Sequence, residues 1–309
     1  MMRRTASIGF VIVLALASCG DDGGSQLGGP PAEPVEFTST TMVYLSDAAV
    51  YGLDGIRTGQ TVAMDRYVPE GDGPWPIVVI VHGTHSDVAL LAPAVAERGA
   101  VVYAPDYLYE SFPTSTEQIR SGLWMGGTTV GDLVCAVRTA RADAVDHGGD
   151  PDHLVLVGFS RGGVLGATVA LAGDDPAAAP GMSDSCAVSD GSVVPQAFVG
   201  LDAPYDLYTW AEEDVPEMVA FDSEAFQAMS PLSYTDRPPS DQPTVFHLLA
   251  PYQAGDYDDT VRLEAALATT GYPVTATFFP GAGHMAFIYP RVMPEVVDLI
   301  VDLGYGMPG

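Results

Sequence analysis

The sequence GFSRGG, residues 158–163, places Ser160 between Gly158 and Gly162. Glycines at these two positions allow a tight turn between a strand and a helix, which lifts the serine side chain clear of the sheet at the helix N-terminus. A serine hydroxyl is a poor nucleophile at neutral pH, so it needs a base to accept its proton and a carboxylate to orient that base. Ser160 is therefore a candidate nucleophile whose partners must lie elsewhere in the chain.

Histidine is the natural base for this chemistry, and the chain has six histidines. His284 lies in the glycine-rich sequence GAGH, directly after an apolar segment at 274–279. Three others have simpler structural roles, because His247 lies inside a strand-like run, His153 begins another, and His147 lies in a polar loop. His284 is therefore a candidate general base, and on this ground alone His82 and His85 remain competitors.

Strand-like and helix-like segments alternate along the chain from about Thr41 onward, and these elements must position the candidate residues. Apolar, strand-like runs occur at 41–45, 62–68, 76–81, 100–105, 153–159, 196–201, 244–250 and 274–279. Helix-like stretches occur at 88–98, 129–145, 162–171, 260–269 and 294–303. This order predicts an α/β fold with a mostly parallel sheet of about eight strands flanked by helices. Residues 205–239 interrupt it as an insertion, which either packs its aromatic residues on the body or forms a cap over a substrate pocket.

Two longer stretches carry a family resemblance. The sequences DPDHLVLVGFSRGG (150–163) and YVPEGDGPWPIVVIVHG (67–83) resemble the α/β-hydrolase superfamily, in its serine carboxylesterase and dienelactone-hydrolase-like branches. The resemblance covers roughly residues 60–303 and implies that Ser160 is the nucleophile and His284 the base. Dienelactone hydrolases have a cysteine as nucleophile, so the serine in this chain favours the simple esterases.

The acid of the triad is expected, by the same resemblance, in a G-x-x-D-x-x-V pattern after the strand at 244–250. The sequence GDYDDTV fits this pattern and assigns Asp258 as the acid, with Asp256 and Asp259 as flanking alternatives. Asp202, in GLDAPYD after the preceding strand, is a rival, since some hydrolases carry the acid there. Three neighbouring acids could instead bind calcium, but the loop lacks the glutamate ligand typical of such a site.

Hydrolysis of an ester also requires backbone N–H groups that stabilise the tetrahedral oxyanion. The N–H of Arg161, next to the nucleophile, is one predicted donor. The resemblance implies a second, the N–H of Thr84 in VHGTH, with His82 holding that turn. The Arg161 side chain is either solvated or salt-bridged, or it assists substrate binding.

The N-terminus predicts export. A basic start is followed by the apolar segment 8–17, which is too short to span a bilayer as a helix. The sequence LASC, ending at Cys19, resembles the bacterial lipobox, in which the cysteine is lipidated. We therefore expect a signal peptide at 1–18, a flexible tether at 19–36 and a catalytic domain at 37–309, anchored to a membrane whose leaflet the sequence does not indicate.

Charge and cysteine content limit the partners. The chain has 12 basic and 40 acidic residues and a net charge of −28, which excludes the basic surface that nucleic-acid binding needs. With Cys19 lipidated, Cys135 and Cys186 form a candidate disulfide in an oxidising location, and the sequence leaves open whether they pair.

The function predicted from these features is an exported serine hydrolase that cleaves small or lipid-like carboxylic esters through an acyl-enzyme. No metal or organic cofactor is required, and the sequence does not indicate the oligomeric state. The alternatives are a serine peptidase or amidase on the same fold, because the same triad cleaves amides, and a non-catalytic tethered binding protein.

Overall fold

A computed structural model describes most of the expected catalytic domain. The described residues are 27–52, 55–83, 88–107, 127–174, 186–207, 209, 230–239, 242–252, 256–279, 283–284, 287 and 290–306. The predicted signal peptide with Cys19, the predicted oxyanion donor Thr84 and most of the insertion at 205–239 lie outside these residues.

Eight strands and five α-helices form the fold within the described ranges. The strands are β1 (Phe37–Gly52), β2 (Gly55–Pro69), β3 (Trp75–Val81), β4 (Val101–Pro105), β5 (Gly149–Phe159), β6 (Ala197–Leu201), β7 (Val245–Pro251) and β8 (Val274–Phe279). The α-helices are α1 (Val88–Ala96), α2 (Gly127–Val145), α3 (Arg161–Ala172), α4 (Asp256–Thr270) and α5 (Met293–Gly304). None of these described helices has both the length and the apolar character needed to cross a membrane.

The strands make one sheet in the order β1-β2-β4-β3-β5-β6-β7-β8. Strands β1, β2 and β4 pair in antiparallel fashion, and every pair from β4 through β3 to β8 is parallel. The predicted fold class is confirmed. Because β3 and β5 to β8 run in the same direction, the residues that follow them meet at one edge of the sheet.

The two faces of the sheet are buried in two apolar clusters. One cluster joins α2 and α3 to side chains such as Val79, Leu156 and Phe198, and the other joins α1 and α5 to side chains such as Ile80 and Val157. Residues of central strands alternate between the two clusters, which explains why these strands are apolar throughout. This rigid sheet fixes the positions of the turns at its carboxyl edge.

A disulfide joins Cys135 of α2 to Cys186, with 5.6 Å between their Cα atoms. Cys186 also forms an isolated antiparallel bridge with Leu45 of β1. The bond therefore fastens the segment before β6 to the helix and the strand beneath it, and the candidate pairing from the sequence is present in the structure.

Residues 27–36, which the sequence assigned to the flexible tether, lie against the folded body. The Val35 N–H donates to the Glu97 carbonyl oxygen at 2.8 Å, and the Glu36 carbonyl accepts from the Glu70 N–H at 2.8 Å. Leu27 packs against the α1–α5 cluster. Backbone pairing and an apolar contact therefore connect this part of the segment to the folded body.

Candidate active site

Ser160 lies in a strained turn between β5 and α3. Its backbone has φ 53° and ψ −121°, an arrangement that a non-glycine residue rarely adopts. A Cβ atom on Gly158 would lie 2.3 Å from the Gly162 carbonyl oxygen, and one on Gly162 would lie 2.2 Å from the Val81 carbonyl oxygen. Both glycines are therefore required by close backbone approach, which is the geometry that the motif predicted.

His284 connects Ser160 to an aspartate. Its Nε2 atom lies 3.0 Å from Ser160 Oγ, and its Nδ1 atom lies 2.7 Å from Asp202 Oδ2. In the tautomer that satisfies both contacts, Nδ1–H donates to the carboxylate and Nε2 accepts the serine proton. The His284 side chain is 45% exposed whereas Asp202 is fully buried, so a substrate can reach the histidine but not the acid.

Asp202 reaches this position because it leaves the sheet directly beside Ser160. Phe159 and Leu201 are register partners in the neighbouring parallel strands β5 and β6, so the residues that follow them emerge side by side. Asp202 has a positive φ of 47°, and its N–H donates to the Leu249 carbonyl oxygen at 2.8 Å. Aspartate tolerates this left-handed region better than most residues, which fits it for a tight turn.

The sequence assigned the acid to Asp258, and the structure pairs His284 with Asp202 instead. Helix α4 begins at Asp256, so DYDDTV (256–261) forms its first turns rather than a loop that reaches the histidine. Asp258 is an exposed residue of that helix. The pattern match was correct in its letters but wrong in its structural context, and the rival Asp202 holds the position.

Asp259, the flanking alternative, has a structural role. Its carboxylate is buried, forms a salt bridge with Arg262, and accepts a hydrogen bond from the Asp206 N–H at 3.3 Å. Burial raises the pKa of this carboxyl, and the Arg262 guanidinium partly offsets that effect. Arg262 also contacts Asp206 Oδ2 at 2.9 Å, so Asp259 and Arg262 of α4 together fasten the chain that follows Asp202. Among the described residues, no group of His, Cys, Asp and Glu side chains is arranged to hold a metal ion.

The turn after β3 adjoins the nucleophile. A Cβ atom on Gly162 would lie 2.6 Å from the His82 carbonyl oxygen, so the two backbones touch. His82 is buried and its ring stacks on Tyr107, with 4.3 Å between the ring centres. The burial of His82 agrees with its expected role in holding the turn, although Tyr107, its main partner, was not predicted from the sequence.

Arg161 is the first residue of α3, directly after Ser160. Its guanidinium carbon lies 5.9 Å from the centre of the Tyr107 ring. The side chain thus approaches the ring that stacks on His82, and the backbone N–H of Arg161, the first donor assigned from the sequence, begins the helix directly after the nucleophile. The second assigned donor, Thr84, lies outside the described residues.

The two ends of the insertion meet close to Asp202. Ser230 Oγ donates to the Tyr205 carbonyl oxygen at 2.9 Å, and a short 3₁₀ helix follows at Pro231–Tyr234. The expected cap between these ends lies almost entirely outside the described residues. The two described ends of the insertion are nevertheless joined by this hydrogen bond, within a few residues of Asp202.

The chain is also similar in sequence to known proteins. The model of the alpha/beta hydrolase family matches residues 78–296, and the chain belongs to this family. The match spans the strands that carry Ser160 and Asp202 and extends beyond His284.

Two curated relatives are esterases by name. The chain is 29% identical over 197 residues to Esterase LipQ of Mycobacterium tuberculosis, covering 57% of this chain and 44% of that protein, so it spans less than half of that relative. It is 26% identical over 264 residues to the versiconal hemiacetal acetate esterase of Dothistroma septosporum, covering 76% and 73% of the two chains.

Solved structures share the fold. A truncated carbohydrate esterase from gut microbiota has a TM-score of 0.63 at 15% identity, covering 90% of this chain and 99% of that chain. Thermogutta terrifontis esterase 2 has a TM-score of 0.62 at 19% identity, covering 88% and 97%. At these identities the likeness concerns the fold.

Proposed function

We propose that this protein is a serine esterase that hydrolyses carboxylic esters with Ser160 as nucleophile, His284 as general base and Asp202 as the acid. The observation that carries the proposal is the position of His284, 3.0 Å from the serine oxygen on one side and 2.7 Å from the carboxylate on the other. Each distance is within hydrogen-bond range, which a nucleophile and its base must satisfy.

The reaction proceeds in two stages. Ser160 Oγ attacks the ester carbonyl carbon as His284 Nε2 takes its proton, and the carbonyl electrons move onto the oxygen. When the tetrahedral species collapses, the C–O bond to the alcohol breaks, and His284 gives its proton to the departing oxygen. Water then attacks the acyl-enzyme with His284 again as the base, which releases the carboxylic acid and restores Ser160.

Asp202 favours this chemistry through charge. Its carboxylate lies buried against Nδ1 of His284, so it stabilises the imidazolium that forms when the serine proton is taken. It also holds the tautomer in which Nε2 is free to accept that proton. Phe159, whose ring centre is 5.2 Å from that of His284, covers one side of the imidazole.

The names of the relatives favour an ester over an amide as the substrate. One is called an esterase and the other a hemiacetal acetate esterase, and their matches cover 57% and 76% of this chain. We therefore infer a carboxylic ester as the substrate class, with the chain length of its acyl group to be measured.

The test is hydrolysis of nitrophenyl esters from acetate to palmitate, together with a peptide anilide. We expect ester turnover that disappears in Ser160→Ala, and a mass increase of one adduct when a fluorophosphonate reacts with the wild type but not with that variant. Turnover of the anilide in preference to every ester would favour a peptidase. Folded wild-type protein that neither turns over an ester nor reacts with the fluorophosphonate would contradict the proposal.

We also propose that the protein is exported and anchored by a lipid on Cys19. The support is the sequence LASC after a short apolar segment. Metabolic labelling with an alkyne analogue of palmitate should mark the wild type, and Cys19→Ser should abolish the label. Equal labelling of both would remove the lipid-anchor proposal and leave the esterase proposal unaffected.

A further inference from the structure

Tyr107 lies at the end of β4, between the turn that carries Ser160 and the turn that follows β3. The residue is buried, with 1% of its surface exposed. Its hydroxyl donates to the His82 carbonyl oxygen at 2.5 Å, and its ring stacks on the His82 ring with an interplanar angle of 8°. Two different kinds of contact therefore fix the backbone and the side chain of His82.

The carbonyl that Tyr107 holds also faces the nucleophile turn. A Cβ atom on Gly162 would lie 2.6 Å from that oxygen, so the carbonyl is packed against the first turn of α3. A peptide unit is planar, and fixing its oxygen therefore fixes the direction of the Gly83 N–H. The Tyr107 hydrogen bond thus holds the His82–Gly83 peptide in place beside the turn that carries Ser160.

A neighbouring residue keeps Tyr107 in place. His82 Nε2 lies 3.4 Å from Asp106 Oδ1, and the Asp106 carbonyl oxygen accepts a hydrogen bond from the Tyr44 hydroxyl at 2.7 Å. The backbone just before Tyr107 is thus tied to β1. Arg161, with its guanidinium 5.9 Å from the Tyr107 ring centre, adds a contact from the nucleophile side.

We propose that Tyr107 is a positioning residue for the oxyanion site: its hydroxyl holds the His82 carbonyl against Gly162, and thereby fixes the first turn of α3, whose Arg161 N–H is the donor next to the nucleophile. The inference rests on the proposed esterase function. Oxyanion donors act only when they are aimed at the position that the developing charge will occupy, so loss of this constraint weakens transition-state binding more than substrate binding.

The test is Tyr107→Phe, which retains the aromatic ring and removes the hydroxyl. We expect kcat on nitrophenyl acetate to fall by about 10-fold to 100-fold with KM changed by less than about twofold, because small displacements of catalytic groups have effects of this size. The affinity for a trifluoromethyl ketone, which forms a tetrahedral adduct with the serine, should fall by about the same factor as kcat/KM.

Tyr305→Phe is the matched control. Tyr305 is also buried, and its hydroxyl donates to a backbone carbonyl oxygen, that of Gly99, at 2.8 Å, on the face of the sheet covered by α1 and α5. The two variants therefore lose the same kind of hydrogen bond. A role confined to folding would lower the thermal stability of both and leave kcat of both unchanged.

A pair of unnatural side chains provides a second test, which also applies if Tyr107→Phe does not fold. At position 107, 4-aminophenylalanine restores a hydrogen-bond donor, whereas 4-methylphenylalanine has a similar size and no donor. We expect kcat close to that of the wild type only for the amino variant. An active wild type whose Tyr107 variants all keep kcat and ketone affinity would overturn the inference, whereas an inactive wild type would overturn the esterase proposal itself.

Discussion

The segments that follow β6 and β7 both present aspartates, and among the described side chains the one after β6 contacts the histidine. Asp202 comes directly after β6 in a left-handed conformation and contacts His284 Nδ1 at 2.7 Å. Asp258 lies in the first turn of α4, exposed, on a helix that begins at Asp256. The difference shows that an acid immediately after a buried strand stays at the sheet edge, whereas one carried by a helix moves away from it.

Replacement of the two aspartates is the strongest test of this comparison. Asp202→Asn should lower kcat on nitrophenyl acetate by on the order of 10² to 10⁴, because an amide favours the wrong tautomer of the histidine. Asparagine also tolerates positive φ, so the variant should fold. Asp258→Asn should change kcat by less than about twofold. Steady-state kinetics of both variants measure these effects, and circular dichroism checks that both variants fold. A larger loss of kcat in Asp258→Asn than in Asp202→Asn would mean that the acid is Asp258 of α4.

The glycine turn gives the next largest effect. Gly162→Ala would place a Cβ atom 2.2 Å from the Val81 carbonyl oxygen, so we expect a loss of stability of about 3 kcal/mol or more together with loss of activity. Gly28→Ala is the control, since a Cβ there meets nothing within 4 Å. Urea denaturation of both variants checks this, and an alanine tolerated at 162 would mean that the turn is looser than described.

The comparison of aspartates also includes Asp132, which is buried on α2. Burial raises the pKa of its carboxyl from 3.8 to about 7. The folded state therefore holds a proton that the unfolded state releases between about pH 4 and pH 7, and this residue makes the protein less stable as the pH rises through that range. The linkage amounts to on the order of 4 kcal/mol.

Asp132→Asn removes this titration. We expect the variant to gain stability relative to the wild type at pH 8, and to gain much less at pH 5, where the wild-type carboxyl is already protonated in the folded state. Thermal unfolding of the two proteins at both pH values makes the comparison. A difference between them that does not depend on pH would show that Asp132 titrates normally.

Loss of the Arg262 salt bridges should have the smallest effect on stability and activity. Arg262 joins Asp206 and the buried Asp259, but its side chain is 42% exposed, so solvent weakens the pairs. Arg262→Gln should cost about 1 kcal/mol of stability and lower kcat/KM by about twofold to fivefold, because the chain after Asp202 loses a restraint. Arg98→Gln, which breaks a salt bridge with Asp298 on α5, should affect stability alone. Equal kinetics of the two variants would contradict a link between Asp259 and the active site.

The sheet and the nucleophile could be predicted from the sequence because each has a local signature. Apolar runs such as Trp75–Val81 are buried on both faces and have few other interpretations. The spacing of Gly158 and Gly162 reports a steric requirement that lies within one turn. His284 follows the last strand, where the family resemblance implied the base, and it contacts Ser160 in the structure.

The acid and Tyr107 depend on contacts between distant segments. Asp202 was recognised only as a rival, and its advantage comes from the pairing of Phe159 with Leu201, which the sequence does not display. The sequence DY at 106–107 gave no sign of its hydrogen bond to a carbonyl 25 residues earlier. One signal was available in retrospect, since GLD at the end of β6 matches GFS at the end of β5: in each, the last residue directly follows a buried strand.

The central claim is that Ser160, His284 and Asp202 act as one unit, and a double-mutant comparison tests it most directly. We would measure kcat/KM on nitrophenyl acetate for Asp202→Asn, His284→Ala and the combined variant. Residues that act together are strongly non-additive, so the combined variant should be within about threefold of His284→Ala alone. If the loss of kcat/KM in the combined variant equals the product of the losses in the two single variants, the account is contradicted, because Asp202 then acts independently of the histidine.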